Sequence, residues 1–138
     1  MSGEHDLQTL LCGMSAQLVE GVYVFVTIPE GAMPQDLTPR MVFRESEGVT
    51  LIVLQDEAVA HRLPHEFPSR MITLNVHSSL DAVGFIALIA TKLAAAGMGV
   101  NPVAGFFHDH IFIPEARAED AMNLLQDLAD QGSETANF

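Results

Sequence analysis

The chain has 138 residues, 49% of them hydrophobic and 17% charged, so it can build a core and is not a disordered chain. Its formal net charge of -12, from 18 acidic and 6 basic residues, disfavours nucleic acid and anionic membrane surfaces, which need clustered Lys and Arg. The basic residues (Arg40, Arg44, Arg62, Arg70, Lys92 and Arg117) are scattered, and the lone Cys12 excludes an intrachain disulfide.

No basic region followed by an apolar run marks the start, and the run Ala82 to Ala96 is short for a bilayer span. The expectation is a soluble cytoplasmic protein. Cys12, between Leu11 and Gly13, reads as a small buried residue ahead of a reactive thiol.

Asp6 to Met14 predicts a short helix with Asp6 as N-cap. Val22 to Ile28, β-branched and aromatic, predicts a strand that stops at Pro29-Glu-Gly31. Residues 29–40 read as a proline-rich loop. Met41 to Ser46 and Val49 to Leu54 predict a hairpin turning at Glu47-Gly48. Asp56 to Leu63 predicts a short helix capped by Asp56, and Pro64 and Pro68 mark a loop and the best internal boundary.

Arg70 to His77 alternates as a strand, with Ile72, Leu74 and Val76 on one face and Thr73, Asn75 and His77 on the other. Ser78-Ser79-Leu80-Asp81 fits a capping box, and the helix it opens ends at Gly97, a C′ glycine. That helix is apolar nearly all round, which predicts burial on more than one side. Ala87, Ala90 and Ala94 would admit another helix.

Val100 to Phe107 predicts a strand at an edge or bulge, because Pro102 lacks an N–H. His108-Asp109 turns into a strand from His110 to Ile113. Pro114 or Glu115 then opens a last helix ending near Gly132.

Both halves follow one plan: strand, connection, hairpin, helix. The first has a proline-rich loop where the second has its long helix. Units of about 60 residues bury too little surface to stand alone, so the two should share an interface. The expected fold is α+β and ferredoxin-like, with antiparallel sheets covered by helices on one face. The expected division is 1–68, 69–132 and a tail at 133–138.

The stretch Asp81-Ala-Val-Gly84 through Ala-Ala-Ala-Gly97-Met-Gly-Val100 is similar to the ACT-domain signature: an Asp-x-Pro-Gly loop, a helix, then Ala-x-x-Gly-Ile-x-Ile. Val83 stands where that signature has proline, which leaves the loop less rigid. Val22-Tyr-Val-Phe-Val26, Phe43-Arg-Glu-Ser-Glu-Gly-Val-Thr-Leu51, Ile72-Thr-Leu-Asn-Val-His-Ser-Ser-Leu80 and Val103-Ala-Gly-Phe-Phe-His-Asp-His-Ile-Phe-Ile-Pro114 extend the likeness over most of the chain. The whole resembles small bacterial tandem ACT-domain proteins, and more distantly the ACT modules of eukaryotic arginine sensors.

The resemblance implies two βαββαβ units and a regulatory, non-catalytic role without cofactor. It also implies a homodimer and an amino-acid ligand bound where two ACT units meet. Carried over, the ligand site comprises His77, Ser78, Ser79, Leu80, Asp81, Val83 and Gly84, with Asn101, Ala104 and Gly105 from the neighbouring strand. Backbone N–H groups at a helix start suit a carboxylate.

Other readings compete. His77, His108, Asp109 and His110 invite a metal, and a metal-dependent enzyme using His77, His108 and His110 is the third reading. The simpler account makes Asp109 a turn residue with histidines flanking a hairpin tip. Ser78 or Ser79 beside His77 lacks a nucleophile elbow and is better explained by helix capping. Glu45 and Glu47 sit by a hairpin turn, and Gly97-Met-Gly99 ends a helix where a phosphate loop would open one. The second reading is a structural or partner-binding oligomerisation module. The leading expectation is a sensor with no catalytic residue and no metal.

Overall fold

The computed structural model describes residues 10, 11, 13–76 and 84–136, with side chains through Gln131. Residues 10, 11 and 13 are helical. Strands β1 (Ser15–Leu18), β2 (Tyr23–Ile28), β3 (Met41–Glu45) and β4 (Gly48–Leu54) lead into helix α1 (Gln55–Ala60). Strand β5 (Glu66–Asn75), helix α2 (Phe85–Ala95), strands β6 (Asn101–Ala104) and β7 (Asp109–Pro114), a 3-10 turn (Glu115–Arg117) and helix α3 (Ala118–Ala136) follow.

All pairings are antiparallel, and the order across the sheet is β3-β4-β2-β5-β7-β6. The long strand β5 makes this one sheet. One edge of β5 takes β2 first, with Tyr23 opposite Ser69, and β1 further on, with Ser15 opposite Asn75 and Leu18 opposite Ile72. Its other edge pairs with β7 from Ser69–Pro114 to Leu74–Asp109.

Sequence alone starts this strand at Arg70, whereas it begins at Glu66. Phe67 adopts a positive φ of 58 and Pro68 has no N–H to give. The β2–β5 register shifts beside them. That bulge lets a proline-marked segment enter the sheet.

The period of two along each strand separates two faces. On one, Ile72, Leu74, Ile111 and Ile113 pack under Phe85, Ile89 and Leu93 of α2 and Ala121 and Leu125 of α3. Leu10, Leu11 and Met14 join this core, so the N-terminal segment packs against the helices of the second half. On the same face Val24, Val26, Leu51 and Val53 pack with Ala58 of α1 and Leu37 of the loop. The other face carries Tyr23, Ile52, Met71 and Phe112, and no described helix covers it.

Four local expectations are corrected. Asp56 does not cap α1: Leu54 holds the N-cap position, because β4 runs straight into the helix and Gln55 donates its N–H to the Val22 carbonyl at 2.8 Å. Strand β6 ends at Ala104, since Gly105 turns the chain, and α3 continues past Gly132 to Ala136. Helix α2 buries only Phe85, Ile89 and Leu93, while Ala87 and Ala94 are exposed.

The C-terminus of α2 follows expectation. Gly97 has φ 84, its N–H reaches Ala94 O at 2.9 Å, and Met98 N–H reaches Leu93 O at 3.2 Å. Arg117 Nη2 donates to Ala96 O at 3.0 Å, so a carbonyl past the helix end is also paired.

Candidate ligand site

The exit of β5, Ala104 and Gly105 lie at the end of the sheet where the β6–β7 hairpin turns. Leu74 and Ala104 both stand opposite Asp109, so the exit of β5 and the hairpin tip share one edge of the molecule. Gly105 donates its N–H to His108 O at 2.9 Å and closes the tip. His108 Nδ1 lies 3.4 Å from the carbonyl of Val76, the first residue after β5. The hairpin tip and the first residue after β5 therefore meet.

His77, Ser78, Ser79, Leu80, Asp81 and Val83 lie outside the described residues, as does Cys12. Gly84 is placed. It adopts a left-handed φ of 92, and its carbonyl accepts the Leu88 N–H at 2.9 Å, opening α2. No side chain caps that helix start. Asn101 and Ala104 are exposed on β6, whose outer edge pairs with no strand among the described residues. Asn101, Ala104 and Gly105 thus form an open edge that ends at the hairpin tip.

The histidines divide between roles. His110 stands opposite Thr73 and bonds its Oγ1 through Nδ1 at 3.0 Å, on the face without helices. Burial is the main cause holding its pKa below the ordinary value of 6.5. His108 and Arg40 push in the same direction, and Asp109 opposes them. The imidazole of His110 is therefore neutral at physiological pH. The rings of His108 and His110 stand 6.5 Å apart and nearly perpendicular. Among the described residues no three His, Cys, Asp or Glu side chains converge to hold a metal.

Glu45 accepts from Thr50 Oγ1, and Glu47 accepts from Ser46 Oγ at 3.0 Å. Both carboxylates are exposed and engaged beside their own turn. An open depression of about 540 Å³ beside Glu20, Gly21 and Asp56 has no cation in its lining.

Sequence reasoning missed a second place. A cavity of about 220 Å³ opens on the helix-free face between Arg40, Met71, His110 and Phe112. Period-two alternation could have aligned Met71 with Thr73 and His110 with Phe112. Nothing in the sequence signals that Arg40, one residue before β3, reaches them.

Two family models, each for an ACT domain, match residues 2–70 and 66–127. No functionally curated protein matches the chain. A crystal structure of a Vibrio cholerae protein, described as of unknown function and a possible transport protein, is 42% identical with a TM-score of 0.81, covering 89% of this chain and 95% of that one. An Agrobacterium tumefaciens protein shares the fold at 16% identity and a TM-score of 0.72, over 84% and 89% of the two chains. The regulatory subunit of aspartate kinase from Thermus thermophilus does so at 12% and 0.59, over 82% and 95%. The chain belongs to the ACT-domain family and carries two such domains in tandem.

Proposed function

We propose that this protein is a non-catalytic regulatory sensor that binds an amino acid where two ACT units meet. The observation that carries the reading is the tandem ACT arrangement combined with the convergence at the end of β5. There the Val76 carbonyl meets the His108 ring, and the outer edge of β6 pairs with no strand among the described residues. We assign the ligand to the loop from His77 to Gly84, with Asn101, Ala104 and Gly105 opposite. The start of α2 supplies unpaired N–H groups for a carboxylate.

The functional units in this reading are 1–68 and 69–132, joined through β5. A homodimer supplies the facing ACT unit, and the exposed Ala87 and Ala94 of α2 leave room for close approach. No described helix is long and apolar enough to cross a membrane, and the reading places the protein in the cytoplasm. The aspartate-kinase regulatory subunit among the structural neighbours supports the regulatory half of the proposal.

A second reading, a partner-binding module, draws on one observation. Phe106 and Phe107 at the hairpin tip are 70% and 66% exposed and stack edge to face. Exposed aromatic pairs are typical of contact surfaces.

A thermal-shift screen of the twenty amino acids at millimolar concentration separates the two. Binding to the folded state alone at ~100-fold over Kd stabilises by about 2.7 kcal/mol. The sensor reading expects one or a few hits that His77→Ala weakens. No stabilisation by any amino acid, together with a shift on self-association, would favour the module.

A further inference from the structure

The helix-free face of the sheet has its own chemistry, and its cavity borders β6 and the hairpin turn at Val103 and Gly105. Arg40 stands at the rim of the cavity of about 220 Å³. Its Nη2 donates to Tyr23 Oη at 2.8 Å, and its guanidinium lies 5.5 Å from the centre of the Tyr23 ring. No carboxylate among the described residues pairs with it, although the chain has 18 acidic side chains. Arg44 and Arg117 do find acids, Glu30 at 3.0 Å and Asp120 at 2.9 Å. Arg40 is thus a positioned cation whose planar fork is suited to a carboxylate.

The rest of the lining is apolar or neutral. Met41, Met71, Val103 and Phe112 form its walls. Methionine side chains adapt to the shape of a small guest. His110 completes the wall, held through Nδ1 by Thr73. In the tautomer where Thr73 donates to Nδ1, the Nε2 nitrogen carries the proton and can donate. No carboxylate is among the described residues that line the cavity, which disfavours an ammonium group there. The volume is below the ~300 Å³ at which drug-sized sites begin.

We propose that this cavity is a second ligand site, for a small organic carboxylate with a compact apolar body and no α-amino group. The carboxylate docks on Arg40, the apolar body lies between Met71 and Phe112, and His110 donates to a neighbouring oxygen. The proposal stands apart from the amino-acid reading, although the two sites share Gly105.

The test uses the full chain with 13C-methyl-labelled methionines, titrated with 4-methyl-2-oxopentanoate and followed by NMR. The methyl signals of Met41 and Met71 are expected to move saturably, while those of Met14 and Met98, in the other core, stay still. The neutral analogue 4-methyl-2-pentanone, acetate and leucine are each expected to bind about tenfold more weakly or worse, since each lacks one feature or adds an unmatched charge. Arg40→Gln, at an exposed position, is expected to weaken the oxo acid by a similar factor while the Met14 and Met98 signals keep their wild-type positions.

The proposal is overturned by absence of saturable shifts at Met41 and Met71, or by shifts confined to other methionines. Equal binding of the neutral ketone, acetate or leucine also overturns it, as does unchanged affinity in a folded Arg40→Gln protein.

Discussion

Gly105→Ala perturbs the turn where the β6–β7 hairpin closes. A Cβ added there would lie 2.9 Å from the His108 carbonyl oxygen and 3.2 Å from His110 Nε2. The first contact is with backbone, which cannot swing aside. The His108 carbonyl is also the acceptor for the Gly105 N–H at 2.9 Å, so relieving the clash opens that bond. Losing one hydrogen bond costs ~1 kcal/mol, and forced overpacking adds ~1–3 kcal/mol, giving about 2–4 kcal/mol in all.

The control is Gly13→Ala. Gly13 has no atom within 4 Å of the added Cβ and no positive φ, so the change should be neutral or slightly stabilising. Urea unfolding of both variants measures the difference. Equal stability of the two, within ~0.5 kcal/mol, would refute the reasoning about the tip.

Other predictions follow from the shared sheet and from His110. Ile72→Ala removes a fully buried side chain from the α2–α3 core and should cost ~2–5 kcal/mol. Because β5 joins both halves, the fluorescence of the single tyrosine, Tyr23, should shift its urea midpoint together with the circular dichroism. A Tyr23 transition that stays put would show that the halves unfold separately.

His110 has a folded pKa below 6.5, so the unfolded chain binds more protons as pH falls. Its contribution is complete above that value and is lost as pH drops from 6.5 through the folded pKa. Each unit of depression is worth ~1.4 kcal/mol. Unfolding at about pH 7.5 and about pH 5.5 should therefore show a smaller loss for His110→Gln than for the native chain, and an identical loss in both would contradict the assignment.

Much of the fold was legible because burial writes a period into these strands. The apolar run in β4 marks an inner strand, and β4 does lie between β3 and β2. The alternation of Ile72 and Leu74 with Thr73 marks a two-faced strand, and the structure gives those residues separate faces. Pro102 predicted an edge, and β6 is one.

The early start of β5 was hidden because Pro68 reads as loop, and only the positive φ of Phe67 lets it pair. The fusion into one sheet was hidden too. It depends on β2 pairing with β5 across a register shift, and β1, a short Ser-Ala-Gln-Leu segment with no clear strand signal, adds to the same edge of β5. Such long-range pairings are set by tertiary packing, which local propensity does not encode.

The candidate site shows the same split. Asn101, Ala104 and Gly105 came from the family signature, and they lie along β6 and the turn after it. Arg40 carries no sequence signal, because its place is set by Tyr23 across the hairpin partner β4 and not by its neighbours.

The central claim is that the chain binds an amino acid at the loop between His77 and Gly84. Equilibrium dialysis of the native protein against an equimolar mixture of the twenty amino acids, with both compartments quantified by mass spectrometry, tests it directly. One amino acid or a small chemical group of them should be enriched on the protein side, and Gly84→Pro should abolish the enrichment while Arg40→Gln leaves it intact. Equal concentrations of all twenty across the membrane would contradict it.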